Sequence, residues 1–228
     1  MEKQKKSKTL AVKNILRFFL LSQLSEHYGG AGENVLRRDL RYLTEPETTP
    51  RLGLESLAES VEREARQYYR GLRIKPDKIC GVPSKNVMLL MMYIIMRREG
   101  ATDFGIDRPK DLSEIRSDET QLHHIFPFNF MMTDKQTKRL SDEYTPSEYR
   151  AEVNDIANLT FISRTTNAAI GDIPPWQYLE TETNKSIRKA HFIPEDRELW
   201  RAENFSRFLS ERRSLLAKAM NVLLKSLR

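Results

Sequence analysis

The chain has 228 residues, 39% hydrophobic and 31% charged, which excludes a disordered polypeptide and allows one or two modest domains with a real core. Its formal charge is +6 and its pI about 9.4, which suits a phosphate-rich partner without requiring one. The single cysteine, Cys80, excludes a disulfide framework or a thiolate zinc cage within one chain.

Cys80 follows Ile79 and reads as a buried structural thiol in a reducing, cytoplasmic setting. Lys3, Lys5, Lys6 and Lys8 open the chain as an export signal might. The apolar stretch behind them is broken by Lys13, Asn14 and Arg17, so it makes a poor signal core. The longest apolar run, Val87 to Met96, falls well short of the roughly 20 residues that span a bilayer. We expect a cytoplasmic protein with no membrane partner.

In chain order, residues 1–115 read as a helical region. Lys13 to Leu24 carries apolar residues at helical spacing and is stopped by Glu26 to Gly30. A second helix is predicted from Glu33 through Leu43, ending where Thr44 to Pro50 breaks the pattern. Leu54 to Tyr69 predicts a third, with Leu54, Leu57, Ala58, Val61 and Ala65 on one face. Ser84 is a plausible N-cap for the apolar run that ends near Arg98. Apolar all round, that run reads as a central buried helix, with Met88, Met91, Met92 and Met96 as core filler. Gly100 to Pro109 reads as a loop in which Asp103 and Asp107 are turn formers rather than metal ligands.

Residues 116–182 mix short strands with turns, and residues 183–228 return to helix. Thr145-Pro-Ser-Glu148 matches a capping box with proline at the first helical position, so the middle region carries its own short helix. Pro194 reads as a helix opener. Behind it, Phe205, Phe208, Leu209, Arg212, Leu215, Leu216, Ala219 and Leu223 form a largely apolar stripe. Arg207, Arg213, Lys218 and Lys225 lie elsewhere on that helix and read as a solvated basic face. Trp176, after two prolines, reads as a core anchor, and His27 and His191 as structural or surface residues.

The informative segment is Gln121-Leu-His-His-Ile-Phe-Pro127, where His123 and His124 are adjacent on a strand-like stretch. Strand neighbours point to opposite faces, so a bulge or an irregular strand end would be needed to bring both rings to one centre. Leu159 to Ile162 reads as a second strand. Thr165 or Thr166 could cap a short helix that carries Asn167 near its first turn.

His-His-Ile-Phe-Pro, then Asn-Leu-Thr at Asn158, then Asn167 nine positions later, resembles the HNH (ββα-metal) nuclease motif. Within that superfamily it is most similar to the C-terminal nuclease domain of GmrSD-type restriction and phage-defence proteins. Ile170-Gly-Asp172, Pro175 and Tyr178-Leu179 support that version. The resemblance covers about residues 121–179. It implies His124 as general base and His123 and Asn167 as metal ligands. Asn158 is implied as the central Asn that shapes the loop and helps orient the base. Other members often have Asp where His123 stands, and colicin-type nucleases have His where Asn167 stands.

The implied fold is α+β and predominantly helical, with a small ββα-metal core at 116–182 embedded between helical segments. The implied cofactor is a divalent ion, Mg²⁺ or Mn²⁺ first, with Ni²⁺ or Zn²⁺ also accepted by imidazole. Asp155 and Asp172 are candidate third ligands, and Arg164 could touch a phosphate. The implied partner is DNA, cut by nicking within a restriction or anti-phage defence system. GmrSD-type proteins usually carry a sensor or NTPase module with an Asp-Gly-Gln-Gln-Arg motif, which this sequence lacks, so such a module or a partner protein is expected elsewhere. Two alternatives stand beside this: a nucleic-acid-binding module with a degenerate HNH-like site, and a helical interaction protein with no nucleic-acid role.

Overall fold

The computed structural model describes residues 2–30, 32–44, 50–68, 72–81, 87–104, 110–133, 144–180 and 185–228. The chain divides into two compact units, Met1–Ile74 with Asn221–Arg228, and Lys75–Met220. It is mostly helical, with one small two-stranded antiparallel sheet. Among the described residues no helix is long and apolar enough to cross a membrane.

The smaller unit holds α1 (Glu2–Leu24), α2 (Gly32–Thr44) and α3 (Pro50–Tyr68). Helix α1 starts well before Lys13, because lysine, glutamine and glutamate are good helix formers and no breaker intervenes. Both α1 and α2 pack on α3. Leu20, Leu21 and Leu24 of α1 and Leu57, Ala58, Val61 and Ala65 of α3 are buried. His27 is buried in the turn after α1, its Nε2 2.6 Å from Asp39 Oδ2. The Asn221 carboxamide accepts from the Ile74 N–H at 2.9 Å and donates to the Ile74 carbonyl at 2.8 Å.

The larger unit begins with a 3-10 turn at Pro76–Lys78 and α4 (Val87–Arg98). Ser84, the expected N-cap of α4, lies outside the described residues. Helix α4 is not buried all round. Met88, Met91, Met92, Ile95 and Met96 form its inner face, while Leu90 is 38% exposed. Cys80 is exposed, contrary to the sequence reading. Ile79 takes the inward position instead, and the thiol donates to the Asp77 carbonyl in the turn.

There follow β1 (Thr120–His124), α5 (Phe128–Thr133), α6 (Pro146–Val153), β2 (Leu159–Ser163), α7 (Arg164–Ile170), α8 (Pro175–Tyr178), α9 (Lys185–Ala190) and α10 (Phe205–Ser226). The capping box of α6 forms as expected: the Glu148 N–H donates to Thr145 Oγ1 and the Thr145 N–H to the Glu148 carboxylate. Pro194 does not open a helix. It lies in an extended turn whose carbonyl accepts the Trp200 Nε1–H at 2.8 Å, and two 3-10 turns intervene before α10 starts at Phe205. Trp176 is half-buried, its ring edge-on to Phe130 at 5.5 Å.

Helix α10 organises the core. Phe205 and Phe208 meet Phe126 edge-to-face at 5.0 and 4.9 Å, and Leu209, Trp200 and Ile162 join the same cluster. Arg213 leaves the expected solvated face to pair with Asp155 at 2.8 Å, while Arg207, Lys218 and Lys225 are exposed. Arg212, in the middle of the apolar stripe, is fully buried. Its guanidinium donates to the carbonyls of Ala157 and Leu159, each at 2.7 Å, and of His191 at 3.1 Å. Burial holds its pKa down to about 9, and the three carbonyls replace the water it has lost. Replacing Arg212 with Met should lower the free energy of unfolding by about 3 kcal/mol or more, because buried carbonyls lose their donors. Urea denaturation tests this, and an unchanged midpoint would contradict it.

Candidate active site

The β1–β2 ribbon is regular. Thr120 stands opposite Ser163, His123 opposite Thr160 and His124 opposite Leu159, with no bulge in the paired stretch. Strand alternation therefore separates the two imidazoles. Gln121, two residues before His123, shares the face of that ring.

On this face the structure brings His123 and Asn167 together. His123 Nδ1 is 2.9 Å from Asn167 Oδ1, and the Asn167 Nδ2–H donates to Gln121 Oε1 at 2.9 Å. Helix α7, which carries Asn167, starts from Ser163 rather than from Thr165 or Thr166. The Thr166 N–H bonds Ser163 Oγ at 3.2 Å, and both threonines lie inside the helix. Asp103, expected in a turn, is buried and braces that start. Its carboxylate accepts from the Ser163 N–H at 3.1 Å and the Thr166 hydroxyl at 2.7 Å, near the positive end of α7. Asp107 lies outside the described residues. At the other end, Gly171 has φ 52° and ψ −121°, a conformation open to glycine, and its N–H returns to the Asn167 carbonyl. Asn167 thus sits on a helix pinned at both ends.

The far side of the His123 ring is set by Tyr178. The tyrosine hydroxyl donates to the Ile125 carbonyl at 2.8 Å, and its oxygen lies 3.3 Å from His123 Nε2. Burial drives the Tyr178 pKa far up, so the hydroxyl stays neutral. With its proton on Ile125, the hydroxyl offers Nε2 an acceptor at 3.3 Å, while Asn167 Oδ1 offers Nδ1 a nearer one at 2.9 Å, and a neutral ring has one N–H to meet either. The Asn167 oxygen facing Nδ1 is also an acceptor. With the ring hydrogen on Nε2, Nδ1 and Asn167 Oδ1 would be two lone-pair atoms 2.9 Å apart. Two donor atoms about 2.1 Å from one cation and at right angles stand about 3 Å apart. With the hydrogen on Nδ1, the ring donates to the Asn167 oxygen and needs no cation.

Burial also lowers the His123 pKa to about 4, so the ring is neutral and open to ligation at physiological pH. Among the described residues there is no cluster of three or more His, Cys, Asp or Glu that could hold a metal. The donor set is one imidazole and one amide. Asp155, a candidate third ligand, is occupied by the Gly81 and Ala157 N–H groups and by Arg213. Asp172 meets Asn129 at 3.4 Å.

His124 is held separately and is half-buried. Its Nε2 lies 3.1 Å from Asn154 Oδ1, and the Asn154 amide is oriented by donation to the Arg150 carbonyl at 2.8 Å. Nε2 therefore carries the ring hydrogen, and Nδ1 presents a lone pair with no hydrogen-bond partner among the described residues. The Phe128 ring lies beside it at 5.8 Å. Desolvation lowers the His124 pKa as well.

The hydrogen bonds of the Asn158 side chain go to backbone groups rather than to the His124 ring. Asn158 is fully buried, accepts from the Phe126 N–H at 2.9 Å, and donates to the carbonyls of Phe126 and Val153 at 3.0 and 2.8 Å. Arg164 is exposed and donates to the Asp118 carbonyl. His191 is buried as a structural residue, between the Thr160 hydroxyl at 2.6 Å and the Thr102 carbonyl at 2.7 Å. The sequence reading gave no role to Asn154, Tyr178 or Gln121. Only Gln121 had a local signal, the strand period of two.

No family model matches the chain, and no curated protein or solved structure was found to match it.

Burial lowers His191 to about 4 for the same reason as His123. The unfolded rings take up protons near pH 6.5 and the folded ones do not until about pH 4. Stability contributed by each neutral ring is complete above 6.5 and is lost as pH falls through that window, by about 3 kcal/mol per ring. Chemical denaturation between pH 7 and pH 4.5 should show this fall, and a flat profile would contradict it.

Proposed function

We propose that this chain is a metal-dependent HNH, or ββα-metal, endonuclease that hydrolyses DNA phosphodiester bonds one strand at a time. The observation that carries the reading is the meeting of His123 Nδ1 and Asn167 Oδ1, 2.9 Å apart, one on a strand and one on the helix that follows the ribbon. A divalent ion, Mg²⁺ or Mn²⁺, would be held by these two residues and would supply electrostatic stabilisation of the phosphate and its leaving oxygen.

The chain's own residues account for the rest. The neutral His124, its Nε2–H fixed on Asn154, would use its Nδ1 lone pair to take a proton from an attacking water. Tyr178 and Gln121 fix the orientation of His123 and Asn167, as outer partners of ligands do in general. Asn158 is a positioning residue, acting through the backbone that follows His124. The basic charge suits the DNA partner. Such an enzyme would act in the cytoplasm, and the resemblance makes it the effector of a restriction or anti-phage defence system with a sensor module or partner protein.

One observation favours a second reading, a DNA-binding module with a degenerate site: among the described residues two protein donors meet where the ion would sit, with no cluster of three or more His, Cys, Asp or Glu. That module would retain DNA in a salt-sensitive way and yield no metal-dependent product. Plasmid nicking with Mg²⁺, Mn²⁺ or chelator, beside a DNA-retention assay, separates the two.

In the nicking assay, His124→Ala should lower the rate by roughly 10²–10⁴-fold while DNA retention persists. Undiminished nicking would remove His124 from its role. Asn167→Ala should raise the metal concentration needed for half-maximal activity, and an unchanged metal titration would count against the assigned ligand.

A further inference from the structure

Both supports of the His124 ring lead back to one residue. Asn154, which bonds the ring, is oriented by the Arg150 carbonyl one helical turn earlier. Phe128, which packs beside the ring at 5.8 Å, also carries the Arg150 guanidinium over its ring, 5.3 Å from its centroid. Arg150 is exposed on α6, whose Tyr149 and Val153 are buried. It has no carboxylate within ion-pair distance among the described residues. We propose that Arg150 binds a phosphate of the DNA strand being cut, so that α6 supplies the substrate contact beside the base; this rests on the nuclease reading above.

The chemistry fits an oxyanion. A guanidinium stacked on an aromatic face keeps its N–H fork free at the edge, and that fork matches two phosphate oxygens. Stacking also fixes the long side chain before substrate arrives, which lessens the entropy lost on binding. The distances set the reach: the guanidinium carbon lies at most about 11 Å from the His124 ring centre. A DNA strand advances about 3.4 Å per nucleotide along the duplex axis. Arg150 therefore reaches the cut phosphate or a near neighbour on the same strand. A carboxylate ligand would meet the fork equally well, but the base beside it acts on a phosphodiester.

The test compares wild type with Arg150→Ala and Arg150→Lys, measuring nicking kinetics and the salt dependence of DNA binding. Arg150→Ala should raise KM by about tenfold, the loss of one charge-assisted contact. The plot of log affinity against log salt should become shallower by about one phosphate contact. Arg150→Lys should restore the salt slope, because it keeps the charge. Mn²⁺ affinity, followed by calorimetry, should stay at the wild-type value in both variants. Wild-type KM and salt slope in Arg150→Ala, with nicking intact, would overturn the arginine's role and leave the nuclease reading standing. Wild type that neither binds nor nicks DNA would overturn both.

Discussion

The Asn158 carboxamide satisfies both the N–H and the carbonyl of Phe126 and takes the Val153 carbonyl with its remaining proton. It replaces a peptide group of the opposite strand just where the β1–β2 ladder ends. The Ile125 N–H to the Asn158 carbonyl is the last backbone bond before the side chain takes over. An asparagine can do this because its amide carries the same donor and acceptor as the main chain. Fully buried, these bonds work away from water, and any unmade partner would be expensive. Arg212 secures the same corner from below through Ala157 and Leu159. The strand end that carries His124 is thereby held from two sides. Asn221 brackets Ile74 in the smaller unit by the same device.

Because the ribbon stays regular up to that clamp, the histidines are divided by the pleat. His123 turns to Asn167, Gln121 and Tyr178, and His124 to Asn154 and Phe128. Each imidazole faces its own carboxamide oxygen. Proximity in sequence gives two differently wired rings rather than a shared pair. That separation suits the proposed ligand and base, since the first would offer a lone pair to an ion and the second to a water.

How much was legible in the sequence follows from how local each signal is. The apolar faces of α1, α3 and α10, the two strands, and the Thr145 capping box depend on neighbours within a turn or a pleat, and they appear where the pattern put them. The pairing of His123 with Asn167 was reachable only through resemblance, as 44 residues separate them. Asn154 and Tyr178 act across 30 and 55 residues, and Asp103 reaches Ser163 across 60. Nothing near them in the chain announces those partners. Local cues also misled. Apolar flanks suggested a buried Cys80, yet Ile79 alone satisfies the inward position. Threonines suggested a cap, yet Ser163, at the strand's last position, is the residue still in extended backbone.

The brace at Asp103 also bears on how small a working piece of this protein could be. The ribbon and the helix behind it lie within residues 116–182, but Asp103 precedes that stretch, and His191 and Arg212 follow it. A fragment trimmed to the motif would keep every proposed ligand and lose the carboxylate that seats α7, the imidazole beneath Thr160 and the guanidinium under Asn158. The motif is therefore a dependent part of the larger unit.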